Sequence, residues 1–432
     1  MAPAGGKRAG LRGRLGLLAP DVSALRESRD LRLVVLGNFV SGMGTQATLV
    51  ALPYQIYIES HSALLVGLLG AVELLPLIAS ALWGGAMADR MDRRTLLLLD
   101  QIGLVMVAGA LAAVSFAGDP SIPVLYILAA LLAGVSALQN VVRSAIVPTL
   151  VRRELMRSAL AFNYGLYQLT MVIGPGLGGL IIALWGVGAA YTIDAVSCFA
   201  MVFAVIAIAP QPPKGVEQRA TIGRSIADGL RFVRGNQALL GSFAIDLVAM
   251  TFGMPRALFA VLAVSVYHAG AAGTGVLYSA VSLGATVAAI TTGWLSHTRR
   301  LGLVVIWAVI AWAVAITFAG LASSLWVAAA LLAVAGAADS VSAVCRTTIN
   351  QTVTPDHMRG RMSSVFSLVV TSGPRLGDIE SGVVAGATTP RFSVTSGGLA
   401  CLVGVGIVMI AFPALKRYDS DDWIGEPAPS PA

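Results

Sequence analysis

Long apolar stretches alternate with short polar hinges along nearly the whole chain. Each stretch is close to the ~20 residues that a helix needs to cross the hydrocarbon core of a bilayer. The pattern predicts twelve helices, near 32–57, 64–86, 95–117, 123–146, 159–184, 188–209, 239–267, 273–296, 302–321, 324–345, 362–387 and 393–414. Helices are required because lipid offers backbone N–H and C=O groups no partners. The runs are too long and unbroken for the alternating strands of a membrane barrel.

The hinges alternate in charge. Of 29 Lys and Arg residues, all but Arg256, Arg375 and Arg391 fall on one side of the series. Basic hinges stay cytoplasmic, so this bias sets the orientation. An even number of crossings then places both termini in the cytoplasm of a multi-pass plasma-membrane protein. Composition agrees: 56% of the 432 residues are hydrophobic and 12% charged, against about 25% charged in soluble domains. The formal charge of +7 does not point to nucleic acid, because the basic residues sit in short hairpins without interleaved aromatics. Anionic inner-leaflet lipid is the fitting partner.

Cys198, Cys345 and Cys401 lie in or at the ends of apolar stretches without metal-ligand spacing, so neither a metal site nor a cofactor is expected. The four histidines, at 61, 268, 297 and 357, fall near span ends, away from any nucleophile partner. No phosphate-binding loop stands in the chain. An enzyme and an ATP-driven pump are both set aside. The apolar run 15–20 is too short for a cleavable signal.

Residues 210–237 form the longest internal hinge and divide the spans six and six. The expected organisation is a cytoplasmic tail (1–28), a six-helix bundle (29–209), a cytoplasmic linker (210–237), a second six-helix bundle (238–415) and a second tail (416–432). Within the linker, Ile222, Ile226, Leu230 and Val233 recur at helical spacing, which predicts an amphipathic helix on the inner membrane face. The halves resemble each other. Gly67 and Gly85 repeat as Gly275 and Gly293, and Arg143-Ser-Ala-Ile146 repeats as Arg346-Thr-Thr-Ile349. An all-α membrane fold of two duplicated six-helix bundles is the architecture of a rocking secondary transporter, with a small-molecule site between the bundles. One chain holds both bundles, so a monomer is expected.

Two motifs carry a family resemblance. Gly85-Ala-Met-Ala-Asp89-Arg90-Met-Asp92-Arg93-Arg94 resembles the signature loop of the major facilitator superfamily. Gly174-Pro175-Gly-Leu-Gly178-Gly179 resembles the superfamily's antiporter motif, found mainly in exporters. From about 30 to 415 the chain is similar to the branch of siderophore exporters and drug efflux proteins, with support from 50–53, Gly253-Met-Pro255 and Pro374-Arg375-Leu-Gly-Asp378. The resemblance implies export of amphipathic small molecules, siderophore-like compounds or drugs, by proton antiport; a nutrient or metabolite importer on the same fold and a membrane sensor are the alternatives. Three positions depart from the branch: Asp92 replaces a usual Gly, His297-Thr298 replaces Asp-Arg in the second copy, and Thr45 stands where an acid is common.

The motif residues have expected roles. Asp89 ends its helix, where the dipole disfavours a negative charge. It is expected to dock on the start of span eleven at Met362-Ser363-Ser364, with Arg90 pairing across the loop and Arg93 and Arg94 reaching lipid phosphates. Gly174, Pro175, Gly178 and Gly179 permit close helix approach and a bend.

Charges at membrane depth line cavities or proton paths. Here they are Glu73, Asp194, Asp246, Arg256, Asp339 and the cluster Arg375, Asp378 and Glu380. Asp246 and then Glu73 lead the proton-coupling candidates, joined by Arg256, Arg375, Asp378 and Glu380. Arg375 and Asp378 share a helix face and can pair, as a static bridge or as part of the coupling path. Asp194 and Asp339 are expected to be satisfied by neighbouring polar groups. Polar cavity candidates are Asn38, Gln46 and Gln55 on span one, read as one wetted stripe, with Gln139, Asn140, Asn163 and Gln168. Tyr54, Tyr164, Tyr167, Phe252 and Trp294 are expected to add aromatic surface.

Overall fold

A computed structural model of the chain describes residues 23–118, 120–211 and 222–419. Among these the regular structure is entirely helical. The long helices are α1 (Arg29–Ser60), α2 (Ala63–Arg90), α3 (Arg93–Phe116) and α4 (Ile122–Ile146), then α5 and α6, which form one run, Met156–Ala207. That run is broken at Gly186, whose φ of 82° lets the chain reverse between 156–185 and 187–207. They continue with α7 (Gln237–Phe252), α8 (Gly270–Thr291), α9 (Leu301–Leu321), α10 (Leu325–Val353), α11 (Arg359–Ala387) and α12 (Pro390–Ala411).

Among the described residues, nine helices are long and apolar enough to span a bilayer by length and hydropathy, with α5 and α6 counted as one. Two of the expected spans miss that criterion for physical reasons. α11 carries Arg375, Asp378 and Glu380 within its length. The expected continuous span over 239–267 is instead broken after Phe252, at Gly253-Met-Pro255-Arg256-Ala257. It resumes as a single turn, Leu258–Val261, followed by a π turn, Leu262–Val266. Proline removes a backbone donor there and cannot continue an α-helix.

Side chains fix the helix starts. Ser28 caps α1 by accepting from the Leu31 amide (3.2 Å), and Asn236 caps α7 by accepting from those of Ala238 and Leu239. Asp92 caps α3 through the amides of Arg94 (2.8 Å) and Thr95 (3.2 Å), a role that the usual glycine side chain cannot fill.

α1 packs along both α5 and α6, with Gly174 against Gln46 and Gly178 against the Ala47 backbone. The first six and last six helices meet along α2–α11 and α5–α8. The connecting helix Ile222–Gly235 packs on the start of α11. Gly229 packs against Arg361 and Val365 of α11, and Asp228 Oδ2 lies 3.3 Å from Arg361 Nη1.

Candidate functional site

The break in α7 opens onto a cavity of about 110 Å³. Its wall brings together Gln46 of α1 and Pro175 of α5 with Arg256 of the break, Tyr278 of α8 and Trp312 of α9. A discontinuous helix at the meeting of two repeats is where transporters place cargo, because unwound backbone is tolerated in a membrane only beside a cavity or inside protein. Water occupies ~30 Å³ per molecule, and cargo pockets run to roughly 300–1,000 Å³. This cavity therefore holds a few waters in the present arrangement, and cargo needs the helices to move apart. A roomier crevice of about 310 Å³ lies among α1, α5 and α6, but its wall is apolar and engages only the first six helices.

Two other elements hold the break in place. Asp378 Oδ1 accepts from the Ala257 amide at 2.9 Å, capping the resumed turn, and the Tyr278 hydroxyl donates to the Arg256 carbonyl at 3.0 Å. Phe259 packs edge-on to Tyr278 with ring centroids 5.0 Å apart. Behind Tyr278 lies an ion cluster that ties α2 to α11. Arg375 Nη2 is 2.7 Å from Glu73 Oε2, and its Nη1 is 3.5 Å from Asp378 Oδ2. The spacing along α11 anticipates the second contact; the first, across helices, is the shorter. Glu380 is half-buried and makes no ion pair among the described residues.

A second cluster ties α7 to α10. Arg346 Nη1 lies 2.5 Å from Asp246 Oδ1, an ion pair by distance without hydrogen-bond alignment. Its Nη2 lies 3.7 Å from Asp339 Oδ1. Arg346 is 5% exposed, although its place just beyond an apolar stretch marks it as a hinge charge. α10 in fact runs on to Val353, which carries Arg346 inside. Its repeat counterpart Arg143 is half-buried, with its Nε inside, and within electrostatic reach of Asp100, a buried acid that hydropathy conceals within α3. The recurrence of arginine in the two halves is the signal that could have found both.

The remaining polar positions fall in several places. Asp194 accepts from Thr48 Oγ1 (2.6 Å), Thr45 Oγ1 (3.3 Å) and Cys198 Sγ (3.7 Å). Asn38, Gln46 and Gln55 do not form one stripe: a nine-residue step is about two and a half turns, which reverses the face. Gln46 lines the cavity and donates to Met171 Sδ, while Gln55 joins Ser115 and Tyr191 in a separate network. Asn38 Oδ1 and Gln139 Nε2 are buried without a partner among the described residues. Asn163 is half-buried, and Gln168 donates to Thr286 Oγ1 at 3.4 Å, across α5–α8. Tyr164, Tyr167, Phe252 and Trp294 lie outside the cavity wall, as does Tyr54; its aromatics are Phe259, Tyr278 and Trp312.

The loop after α2 also differs from expectation. Arg94 does not reach for lipid; its Nε and Nη2 donate to the carbonyls of Val205 and Ile206 at 2.9 and 2.7 Å, closing the end of α6. Arg93 Nε is buried. α11 begins at Arg359, so its amides without intrahelical partners are those of 359–361, not 362–364, and that of Arg359 already donates to the Asp356 carbonyl. The side chains of Asp89, Arg90 and Asn140, and the packing of Gly85, lie outside the described residues.

A helical membrane protein with a broken helix, a cavity walled by both repeats and buried ion clusters across its seams is a transporter of the major facilitator type. The chain belongs to the family described as transmembrane secretion effector, which it matches over residues 22–431. It is 28% identical over 413 residues to the enterobactin exporter EntS of Citrobacter koseri, covering 95% of this chain and 98% of that protein. EntS of Shigella boydii matches at 28% over 402 residues, covering 92% and 95%. The fold is similar to a POT family transporter solved with 5-aminolevulinic acid (TM-score 0.71, 11% identity, covering 90% and 97%). It is also similar to an inward-facing bacterial homologue of the iron transporter ferroportin (TM-score 0.67, 17% identity, covering 90% and 98%).

Proposed function

We propose that this protein is a secondary active exporter of amphipathic small molecules, siderophore-like compounds or drugs, driven by proton antiport. The observation that carries this reading is the cavity at the α7 break, walled by Gln46 and Pro175 from one half and Arg256, Tyr278 and Trp312 from the other. Two bundles, 29–209 and 238–415, rock about it, with both termini cytoplasmic and a single chain sufficient. Export rather than import is supported by the relatives named as exporters and by Gly174-Pro175. Glu73 and Asp246 take up the coupling protons, because each faces an arginine that binds the ionised carboxylate and can release it when helices separate. Asp89 docks on the free amides of 360–361 at the start of α11 when the cytoplasmic side closes.

The test uses purified protein in inside-out vesicles with an imposed pH gradient and a panel of siderophores and dyes. Uphill uptake that collapses with the gradient is expected. Movement indifferent to the gradient removes the proton coupling, and movement only in the opposite direction removes export.

A further inference from the structure

Two side chains of the cavity wall, Arg256 and Trp312, carry donors without a partner among the described residues. Arg256 is the formal charge in that wall, and among the described residues its guanidinium makes no ion pair within 4 Å. Carboxylates are within electrostatic range: Glu73, Asp378 and Asp339. Each is already engaged at short range, the first two by Arg375 and the third by Arg346. Trp312, 2% exposed, has an indole N–H without an acceptor among the described residues, held against Gly253 at the start of the break. The Tyr278 hydroxyl is occupied by the Arg256 carbonyl. Arg256 is half-buried, so its charge is partly stripped of water without gaining a partner, and the unmet buried donor of Trp312 adds to that cost.

An incoming group with anionic oxygens relieves both. A cationic group meets the guanidinium at contact range. The flanking rings of Phe259, Tyr278 and Trp312 provide surface for an aromatic body beside the charge. Resting on the transport reading above, we propose that Arg256, assisted by Trp312, is the anion seat of the cargo site, and that the preferred cargo carries an aryl group bearing a carboxylate or similarly acidic oxygens. Arg256 is placed for this by the break itself. Its backbone is fixed by Tyr278 of α8 at one side and through Ala257 by Asp378 of α11 at the other, so its position responds to α11, which also carries Arg375 of the Glu73–Arg375 bridge.

Three ligands of one size separate the charge from the ring: benzoate, benzamide and benzylamine, which is protonated at neutral pH. Binding is measured by saturation-transfer NMR on the detergent-purified full chain, with empty micelles subtracted. Benzoate is expected to bind at least about tenfold more tightly than either of the others, the scale of a hydrogen bond to a charged group. Arg256→Gln should erase that preference and leave benzamide unchanged, and Arg256→Lys should keep part of it. Trp312→Phe keeps the ring but loses the N–H, and should weaken benzoate several-fold. Equal binding of the three ligands, tighter benzylamine, or a preference intact in Arg256→Gln overturns the proposal. If Arg256→Gln does not purify as a folded protein, the wild-type ligand order and Trp312→Phe decide the matter alone. A benzoate preference in a protein that moves nothing uphill in vesicles leaves the anion seat standing and takes down the pump.

Discussion

Gly67 of α2 lies so close to Gly382 of α11 that a methyl group on either would overlap the other's backbone. The repeat makes the same contact a second time: Gly275 of α8, the counterpart of Gly67, meets Gly179 of α5. A Cβ on Gly382 would also approach the Ala63 carbonyl, and one on Gly179 that of Ala271. Both seams lie toward the helix ends remote from the basic hinges, and both join the first six helices to the last six.

Backbone on both sides leaves nothing to repack, so Gly67→Val should disfavour this closed contact by about 1–3 kcal/mol. That range corresponds to roughly five- to 150-fold in the closed-to-open ratio. A cysteine introduced at Leu64, beside the seam, should label with maleimide roughly tenfold faster, and transport should fall with it. Gly275→Val should do the same through the other seam. Gly109, with open space where a Cβ would stand, serves as the control, and Gly109→Val should behave like wild type. Unchanged labelling in both seam variants would remove the seams from the conformational cycle.

Arg375 serves two carboxylates at once, Glu73 and Asp378. Replacing it with Met leaves both buried acids without their cation, which costs about 3–5 kcal/mol where a buried pair is broken from one side. Glu73→Gln should cost less, because Arg375 keeps Asp378. The double variant Glu73→Gln/Arg375→Met should be less damaged than the sum of the two, a coupling that a double-mutant cycle reads from thermal melting in detergent. Strict additivity would mean that the bridge does not form in the membrane. In vesicles, Glu73→Gln should lose uphill transport and keep downhill exchange.

The intramembrane acids other than Asp100, and the pair along α11, are legible in the sequence, because an expensive charge in an apolar run stands out by itself. Their partners across helices are not. Glu73 and Arg375 are three hundred positions apart, and nothing in either segment states that α2 faces α11. Arg346 is hidden by the opposite effect: hydropathy fades at Cys345, while hydrogen bonding carries α10 eight residues further. The break in α7 is written as Gly253-Met-Pro255, but an apolar stretch of ordinary length masks it. Gln55 shows how spacing misleads when a step is not a whole number of turns, since its face belongs to Ser115 and Tyr191 rather than to the cavity.

Asp194 and Asp246 look alike in sequence and differ in surroundings. Asp194 is held by two hydroxyls and a thiol of α1 and α6, inside one set of packed helices. Asp246 faces an arginine. Asp194→Asn should therefore keep gradient-driven transport, with lower thermal stability. Asp246→Asn should lose uphill transport while still exchanging cargo downhill. Thr48→Val, which removes the 2.6 Å bond to Asp194, should lower stability by about 1–3 kcal/mol, the cost of an unmet buried acceptor. Equal loss of uphill transport in Asp194→Asn and Asp246→Asn would erase the distinction between a structural and a coupling acid.

The connecting helix grips α11 mainly by fit. The Asp228–Arg361 pair is partly exposed, with side-chain accessibilities of 23% and 39%, and such pairs contribute roughly 0–1 kcal/mol. Gly229, by contrast, has no room for a side chain: a Cβ would stand 2.7 Å from Val365 Cγ2 and 2.9 Å from the Arg361 carbonyl. Asp228→Ala should leave the helix docked, whereas Gly229→Val should lift it from α11. Spin labels at Leu230 and Ser364 would report this, with a narrow distance distribution in wild type and Asp228→Ala and a broad, longer one in Gly229→Val. Because α11 carries Arg375 and Asp378, freeing its cytoplasmic start should also slow transport, with the size of the effect following the broadening. A narrow distribution in Gly229→Val would show that the helix is held by its apolar stripe in the bilayer rather than by α11.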